Sequence, residues 1–349
     1  MSILLKTSHT GDDLEPALHT AARRHCALCG AEGVRIHTDV PDHCYGVPGR
    51  WNVARCPDAS CGLVWQDPMV LPQDLGLAYV DYHTHDADGG SARKTIPAGF
   101  LTLDRWLARL LKLEQERTRF TWAYLDDVRP GRLLDVGCGS GAFAALMQTR
   151  GWNVRGTDFD PQAAENARKR HAIDVDVGDL RDIAYDAGSF DAVTLRHVIE
   201  HVPQPEELVA ECWRILKPGG HLVLVTPNSD SLGHRYFGTR WRGLEQPRHV
   251  FLYNPAAIRR LFERAGIEGD EIFSTAQGAS FVCRKSSLNS RGRLGRVADA
   301  LATWWLPCSE TMRIRRGHHV GEELVACATK PGGDASSTGR STGVERAPT

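Results

Sequence analysis

From residue 131 to residue 330, short apolar runs alternate with stretches whose apolar positions recur every three or four residues. RLLDVG, NVRGTD, IDVDVGD, FDAVTLRH and HLVLVTP read as five strands, each ending near glycine, aspartate, histidine or proline. Between them AFAALMQTRG reads as a helix closed by Gly151, and PQAAENARKRHA as one with Pro161 in its first turn. PEELVAECWRILKPGG reads as a helix stopped by Pro218 and Gly219. NPAAIRRLFERAG is a further helix, with Asn254 as its N-cap and Gly266 at its end. EGDEIFSTA and GEELVACATK supply two last strands. Strands alternating with helices predict an α/β fold. Upstream, residues 98–125 place Leu103, Trp106, Leu107, Leu110, Leu111 and Leu113 at helical spacing, with a break near Glu114. The expected organisation is a flexible leader (1–20), a small cysteine-rich module (21–68), a helical linker (69–118), the α/β domain (119–330) and a disordered tail (331–349). The module has few long apolar faces, so no conventional core is expected in it.

The 349 residues are 42% hydrophobic and 24% charged, as in ordinary globular proteins. A net charge of −1 gives no global pull toward nucleic acid or an anionic membrane. No run approaches the ~20 apolar residues that span a bilayer. The start, MSILLKTSHTGDDLEP, has too short an apolar stretch for a secretory signal, and a cytoplasmic location is expected. Ten cysteines without a regular framework then read as thiols, metal ligands or core residues.

The turn Asp135-Val-Gly137-Cys138-Gly139-Ser-Gly141 joins the first strand of the α/β region to a helix. Its glycines allow a sharp turn and close approach to a ligand. The helix N-terminus beyond offers free N–H groups to a carboxylate or phosphate. Asp158 ends the second strand, where a doubly wound fold puts the acid that bonds ribose hydroxyls. Asp179 ends the third and could accept a bond from an adenine amino group, with Phe159 or Leu180 packed on the ring. Gly137-x-Gly139-x-x-Ala142 also fits a dinucleotide fingerprint, so an NAD-dependent oxidoreductase is a rival. Asp135 argues against it, because a dinucleotide fold keeps an apolar residue there.

The stretch LLDVGCGSGAF, GTDFDP, GDL and FDAVTLRHVIEHVPQPEELVAECWRILKPGGHLVLVTPN resembles class I methyltransferases, within them the group that includes the ubiquinone-biosynthesis O-methyltransferases. The resemblance implies a Rossmann-like seven-stranded sheet with its last strand antiparallel. It implies S-adenosyl-L-methionine as cofactor, with Asp135, Gly137, Cys138, Gly139 and Gly141 at the methionine part, Asp158 at the ribose and Asp179 at the adenine. His197 would border the cofactor and the substrate mouth.

His197, Glu200 and His201 follow the fourth strand at i, i+3 and i+4, on one face of a helical turn. Three roles stay open for Glu200 and His201: a structural hydrogen bond, a metal site, or His201 as general base. An unshifted imidazole, titrating near 6.5, suits deprotonation of a hydroxyl. The resembling ubiquinone enzymes suggest an acid-rich divalent-metal site here, but His197 stands where an acid would align. His249 is a second candidate base. It lies in the irregular stretch after the fifth strand, where Trp241, Arg242, Glu245, Arg248 and Tyr253 are candidate substrate residues.

Cys26-x-x-Cys29 and Cys56-x4-Cys61 form two knuckle-like pairs, which suit a closed, structural, four-cysteine site like that of a zinc ribbon. His43 and Cys44 are spare ligands. The neighbouring CGLVWQDP resembles the zinc-binding N-terminal region of some bacterial methyltransferases, including sugar C-methyltransferases, and so points to a carbohydrate or nucleotide-sugar acceptor. A zinc-ribbon nucleic-acid-binding protein is the rival from another class, though no basic stripe with interleaved aromatics supports it. A helical, basic insertion spans 277–318. Its arginines, at 284–316, could cover the active site, bind an anionic substrate or touch a membrane surface. The expected activity is methyl transfer by direct displacement to a small-molecule or saccharide acceptor, with O-methylation favoured over C-methylation of a nucleotide-linked sugar.

Overall fold

The computed structural model describes residues 18–79, 113–289 and 292–332. The start of the expected leader, the apolar stripe Leu103–Leu111 and nearly all of the expected tail lie outside the described residues. The strands are β1 (Thr20–Ala21), β2 (Val34–Val40), β3 (Trp51–Arg55), β4 (Val64–Gln66), β5 (Met69–Val70), β6 (Arg132–Val136), β7 (Asn153–Asp158), β8 (Asp174–Val177), β9 (Phe190–Arg196), β10 (Leu216–Pro227), β11 (Phe251–Leu252), β12 (Asp270–Thr275) and β13 (Glu323–Thr329).

Seven of these form one sheet in the order β12-β13-β10-β9-β6-β7-β8. The chain reverses outward from β6, so the sheet has its switch point between β6 and β9. β13 runs antiparallel to β10 and β12, and the pairs among β6 to β10 are parallel. The strands are apolar on both faces because both are covered. Leu134, Val193, Leu195, Leu222 and Leu224 pack with the helices Pro205–Ile215 and Pro255–Arg264. Leu133, Ala192, Val223 and Val225, one residue out of step, pack with the helices Ala142–Gln148 and Pro161–His171.

Two local expectations need correction. The helix from Pro205 ends at Ile215, before Pro218 is reached, because Leu216 already pairs with Phe190 in β10. The register shift between Leu216 and His221 absorbs the Lys-Pro-Gly-Gly segment. Ile199–His201 is a single 3-10 turn rather than the start of an α-helix, and Pro203 and Pro205 follow too closely for it to continue.

In the cysteine-rich segment β2, β3 and β4 form an antiparallel meander, and β11 from the far side of the chain is its fourth strand. The buried apolar residues of this segment are covered by the α/β domain. Leu28, Leu63 and Trp65 share one cluster with Phe251, Tyr253, Ile258 and Phe262. Val40, Val53 and Val64 share another with Leu232, Phe237 and Trp241.

Candidate active site

The C-terminal ends of β6 and β7 build a cradle. Gly137, Gly139 and Gly141 have φ of +66°, +52° and +76°, the left-handed region that glycine enters without strain. A Cβ on Gly137 would lie 2.5 Å from Val198, and one on Gly141 2.8 Å from Ala167 Cβ. Above Gly139 a Cβ would meet nothing within 4 Å, so that side of the turn is open to a ligand. Cys138 is buried, and its Sγ fills the space a Cβ on Gly156 would need, so this side chain packs the turn onto β7.

Asp158 Oδ2 accepts the Gly139 N–H at 2.8 Å and Oδ1 accepts the Asp160 N–H at 3.0 Å. The carboxylate thus locks the cradle to β7, and burial raises its pKa. Asp135 is also buried; its Oδ1 accepts the Thr194 hydroxyl at 2.8 Å, and burial pushes its carboxyl up to about 6. Phe159 is 62% exposed beside the cradle. Leu180 is buried, whereas Asp179 caps the short helix Leu180–Ile183 and pairs with Arg181 at 2.7 Å. That pairing holds the Asp179 pKa below its ordinary value.

The segment after β9 supplies the opposite wall. His197 has φ +55° and lies 3.4 Å from Glu200 and 3.7 Å from Glu323. Burial opposes its charge, but the two carboxylates outweigh it and raise the imidazole to about 9. Glu200 is fully buried; its Oε2 accepts the Thr226 hydroxyl at 2.9 Å, and Oε1 faces His197 Nδ1 at 3.4 Å. Burial works against this carboxylate too, yet His197, His201 and His249 hold it down at about 2.

His201 and His249, 48 positions apart in sequence, meet with ring centroids 4.6 Å apart. Their ring nitrogens and a Glu200 oxygen lie within 4.8 Å of one another, a donor set that could also hold a cation. His249 is 5% exposed, and burial pushes it down to about 4. His201 is half-buried, with Nδ1 3.1 Å from the Arg248 carbonyl and 2.8 Å from the Tyr79 hydroxyl. Tyr79, whose ring also meets Phe159 edge-on at 5.9 Å, is the residue the sequence did not reveal. It comes from the 3-10 stretch Pro72–Tyr79, outside every motif.

The five candidate substrate residues lie behind this wall, mostly facing protein. Trp241 Nε1 donates to Glu322 at 2.8 Å, and Tyr253 is fully buried. Glu245 accepts from Arg242 and from Arg248 Nε. Arg248 also donates twice to Asp42 at 2.9 Å, with neither side chain exposed, and stacks over Tyr45. Of the five, Arg242 retains partial exposure.

Elsewhere the four cysteines expected as ligands converge. Cys26 and Cys61 Sγ are 3.6 Å apart, Cys29 and Cys56 Sγ are 3.3 Å apart, and all four sulfurs lie within 4.8 Å. Zinc with ~2.3 Å bonds sets tetrahedral sulfurs about 3.8 Å apart, so the set fits that ion. The Cys61 thiol bonds to Cys26 and, with the Leu28 N–H, pulls Cys26 down to about 5 while Cys61 is pushed up. Such a pair shares a proton that a cation would replace. Cys44 stands apart, against Arg242 and Glu245.

The sheet order, the antiparallel β13 and the cradle are those of a class I Rossmann-like methyltransferase domain. Residues 102–272 match the model of the methyltransferase-domain family. The chain is 40% identical over 108 residues to a ubiquinone biosynthesis O-methyltransferase of Xanthomonas oryzae pv. oryzae, covering 29% of this chain and 45% of that one. It is 33% identical over 153 residues to the enzyme of the same name from Thiobacillus denitrificans, covering 40% and 66%. A solved S-adenosylmethionine-dependent methyltransferase from Archaeoglobus fulgidus matches with TM-score 0.43 and 18% identity, over 67% of this chain and all of that one. The chain thus spans about half the length of the first curated relatives it matches. By family match and sheet order, residues 102–272 carry a methyltransferase domain of the class I type.

Proposed function

We propose that this chain transfers the methyl group of S-adenosylmethionine to the oxygen of a small-molecule or saccharide-type acceptor. The observation that carries the reading is the cradle: three left-handed glycines, open above Gly139, held by Asp158 at the ends of two adjacent parallel strands. The bound cofactor would supply an electrophilic methyl on a sulfonium, displaced in line by the acceptor. Asp158 would receive the ribose hydroxyls, and the turn from Asp135 to Gly141 the amino-acid end. Phe159 and Leu180 would flank the adenine, with Asp179 at its edge. His201 would take the acceptor's proton. Arg242 stands at the partly exposed margin of this wall, and Trp241, Glu245, Arg248 and Tyr253 shape it from behind. The relatives named O-methyltransferases support oxygen as the attacked atom. The antiparallel β13 disfavours a dinucleotide enzyme, whose sheet is mostly parallel.

The proposal includes one structural zinc on Cys26, Cys29, Cys56 and Cys61, carried by the convergence of their sulfurs, and a cytoplasmic setting that keeps such thiolates reduced.

Calorimetry tests the cofactor. S-adenosylmethionine or its demethylated product should bind, and Asp158→Ala should weaken binding by roughly 1.5–3 kcal/mol as bonds to a carboxylate are lost. Binding of NAD with no response to S-adenosylmethionine would refute the reading.

A further inference from the structure

Two helices fill the connection between β12 and β13: Ala279–Ser287 and Gly292–Ile314. The longer carries two apolar stripes. Ala302 and Leu306 point inward and are buried, together with Asp299 and Glu310. Leu294, Val297, Leu301, Trp304, Trp305 and Met312, on the opposite side, are between 46% and 86% exposed. Their spacing of three, four and seven residues keeps them on one face. Leu288, 73% exposed, and Phe281, 48% exposed, extend the apolar surface onto the shorter helix. Single exposed apolar side chains are ordinary, but a continuous stripe of this kind marks an interaction surface.

The charges around the stripe say what it meets. Residues 279–317 contain two acids, Asp299 and Glu310, and both are buried. Asp299 is already paired with Arg240. The outward charges near the stripe are cations: Arg293 and Arg296 toward one end, and Arg313, Arg315 and Arg316 toward the other, all exposed. A second copy laid on this face would set arginine against arginine, with the helix's own acids out of reach. An anionic lipid surface satisfies both features. Its acyl boundary takes leucine, valine and tryptophan, and its phosphates take arginine.

We propose that this face docks the protein on an anionic bilayer, with the helix lying in the plane of the interface. This goes beyond the methyl-transfer reading and holds for any acceptor. The pair of helices is tied to the candidate substrate wall, since the Arg242 N–H donates to Ser286 Oγ at 2.9 Å. Docking would therefore hold that wall close to the lipid surface.

The test is cosedimentation of the full chain with vesicles of phosphatidylcholine alone and of phosphatidylcholine mixed with phosphatidylglycerol. Binding should require the anionic lipid, fall with added salt and shift tryptophan emission to the blue. L294Q with L301Q, and separately R293E with R296E, should each weaken it at least ~10-fold. Both double variants should keep their circular-dichroism melt and their affinity for S-adenosylmethionine, which separates loss of docking from loss of fold. Equal binding to neutral vesicles, no binding to either, or full binding by the variants would each overturn the proposal. So would a dimer in sizing with light scattering that L294Q with L301Q abolishes, because the face would then be a self-interface.

Discussion

His201 and His249 touch, yet their surroundings suit them to different work. His249 is enclosed, and burial holds it near 4, so it stays neutral at working pH and is a weak proton acceptor. Its Nδ1 lies 2.7 Å from the Gly243 carbonyl, a bond that needs the proton on that nitrogen. His201 is half-buried, and its Nδ1 faces the Arg248 carbonyl at 3.1 Å, which can only accept, and the Tyr79 hydroxyl at 2.8 Å, which can accept as well as donate, so a proton on Nδ1 serves both contacts. Nε2 is then the nitrogen able to take a proton from an acceptor. His201→Ala should cut kcat by ~10²–10⁴ with cofactor affinity nearly unchanged. His249→Gln should mainly lower stability. Because His249 does not titrate between pH 5 and 8, any rise of rate with pH across that range should survive in His249→Gln. Full turnover in His201→Ala would reject the assignment. If chelator abolished activity and a divalent ion restored it, Glu200, His201 and His249 would be holding a cation instead.

Among the elements, the helix Gly292–Ile314 is held by an unusual contact. Glu310 is fully buried against Glu322, so two carboxyl groups meet away from water. Burial and the neighbouring acid raise the Glu310 pKa well above normal, and burial pushes Glu322 up to about 7. A folded-state pKa raised above the unfolded value gives stability that is complete below about 4.5 and is lost as pH climbs through the folded value. Glu310→Gln mimics the protonated acid. In urea titrations it should stabilise the protein by about 1–3 kcal/mol at pH 8 and by much less at pH 5. Equal destabilisation at both pH values would show that the carboxyl is not under this strain. Other elements are plain in the sequence. β6 and the second half of β10 are short apolar runs, and β7 and β9 carry apolar residues between turn signals, with the cradle residues following β6 and β7 directly, so the pattern locates both. The 3-10 turn at Ile199–His201 is not legible, because spacings of three and four do not separate it from an α-helix. β11 and Tyr79 leave no mark, since a two-residue strand has no period and Tyr79 reaches His201 across 122 positions. The Arg248–Asp42 pair spans 206 positions and is equally invisible; as a sequence feature Arg248 reads as a residue for substrate.

At the scale of the molecule, the cysteine-rich segment and the methyltransferase domain are built as one body. β11 of the domain completes the segment's sheet, and two apolar clusters run across the boundary. Polar contacts repeat the pattern: Gln66 with Gln246 at 2.7 Å, Arg55 with Asp230 at 2.7 Å, and His37 with His234 at 3.0 Å. The Arg248 guanidinium is tied to Asp42 with neither side chain exposed. Removing one member of a buried pair leaves an uncompensated charge, so Asp42→Ala should cost about 3–5 kcal/mol although it is remote from the glycine cradle. The cysteines anchor the other end of the same interface: a Cβ on Gly62, next to Cys61, would lie 2.3 Å from Asn254, the N-cap of the helix Pro255–Arg264. Metal and fold should therefore be coupled over the whole chain. Elemental analysis should give about one zinc per chain, and Cys56→Ser should lose it. Calorimetric melting should show a single transition that falls in temperature in both Asp42→Ala and Cys56→Ser, with S-adenosylmethionine raising it in each. Two separate transitions, with the cofactor moving one and the metal moving the other, would mean that the shared sheet and clusters do not bind the two parts into one cooperative unit.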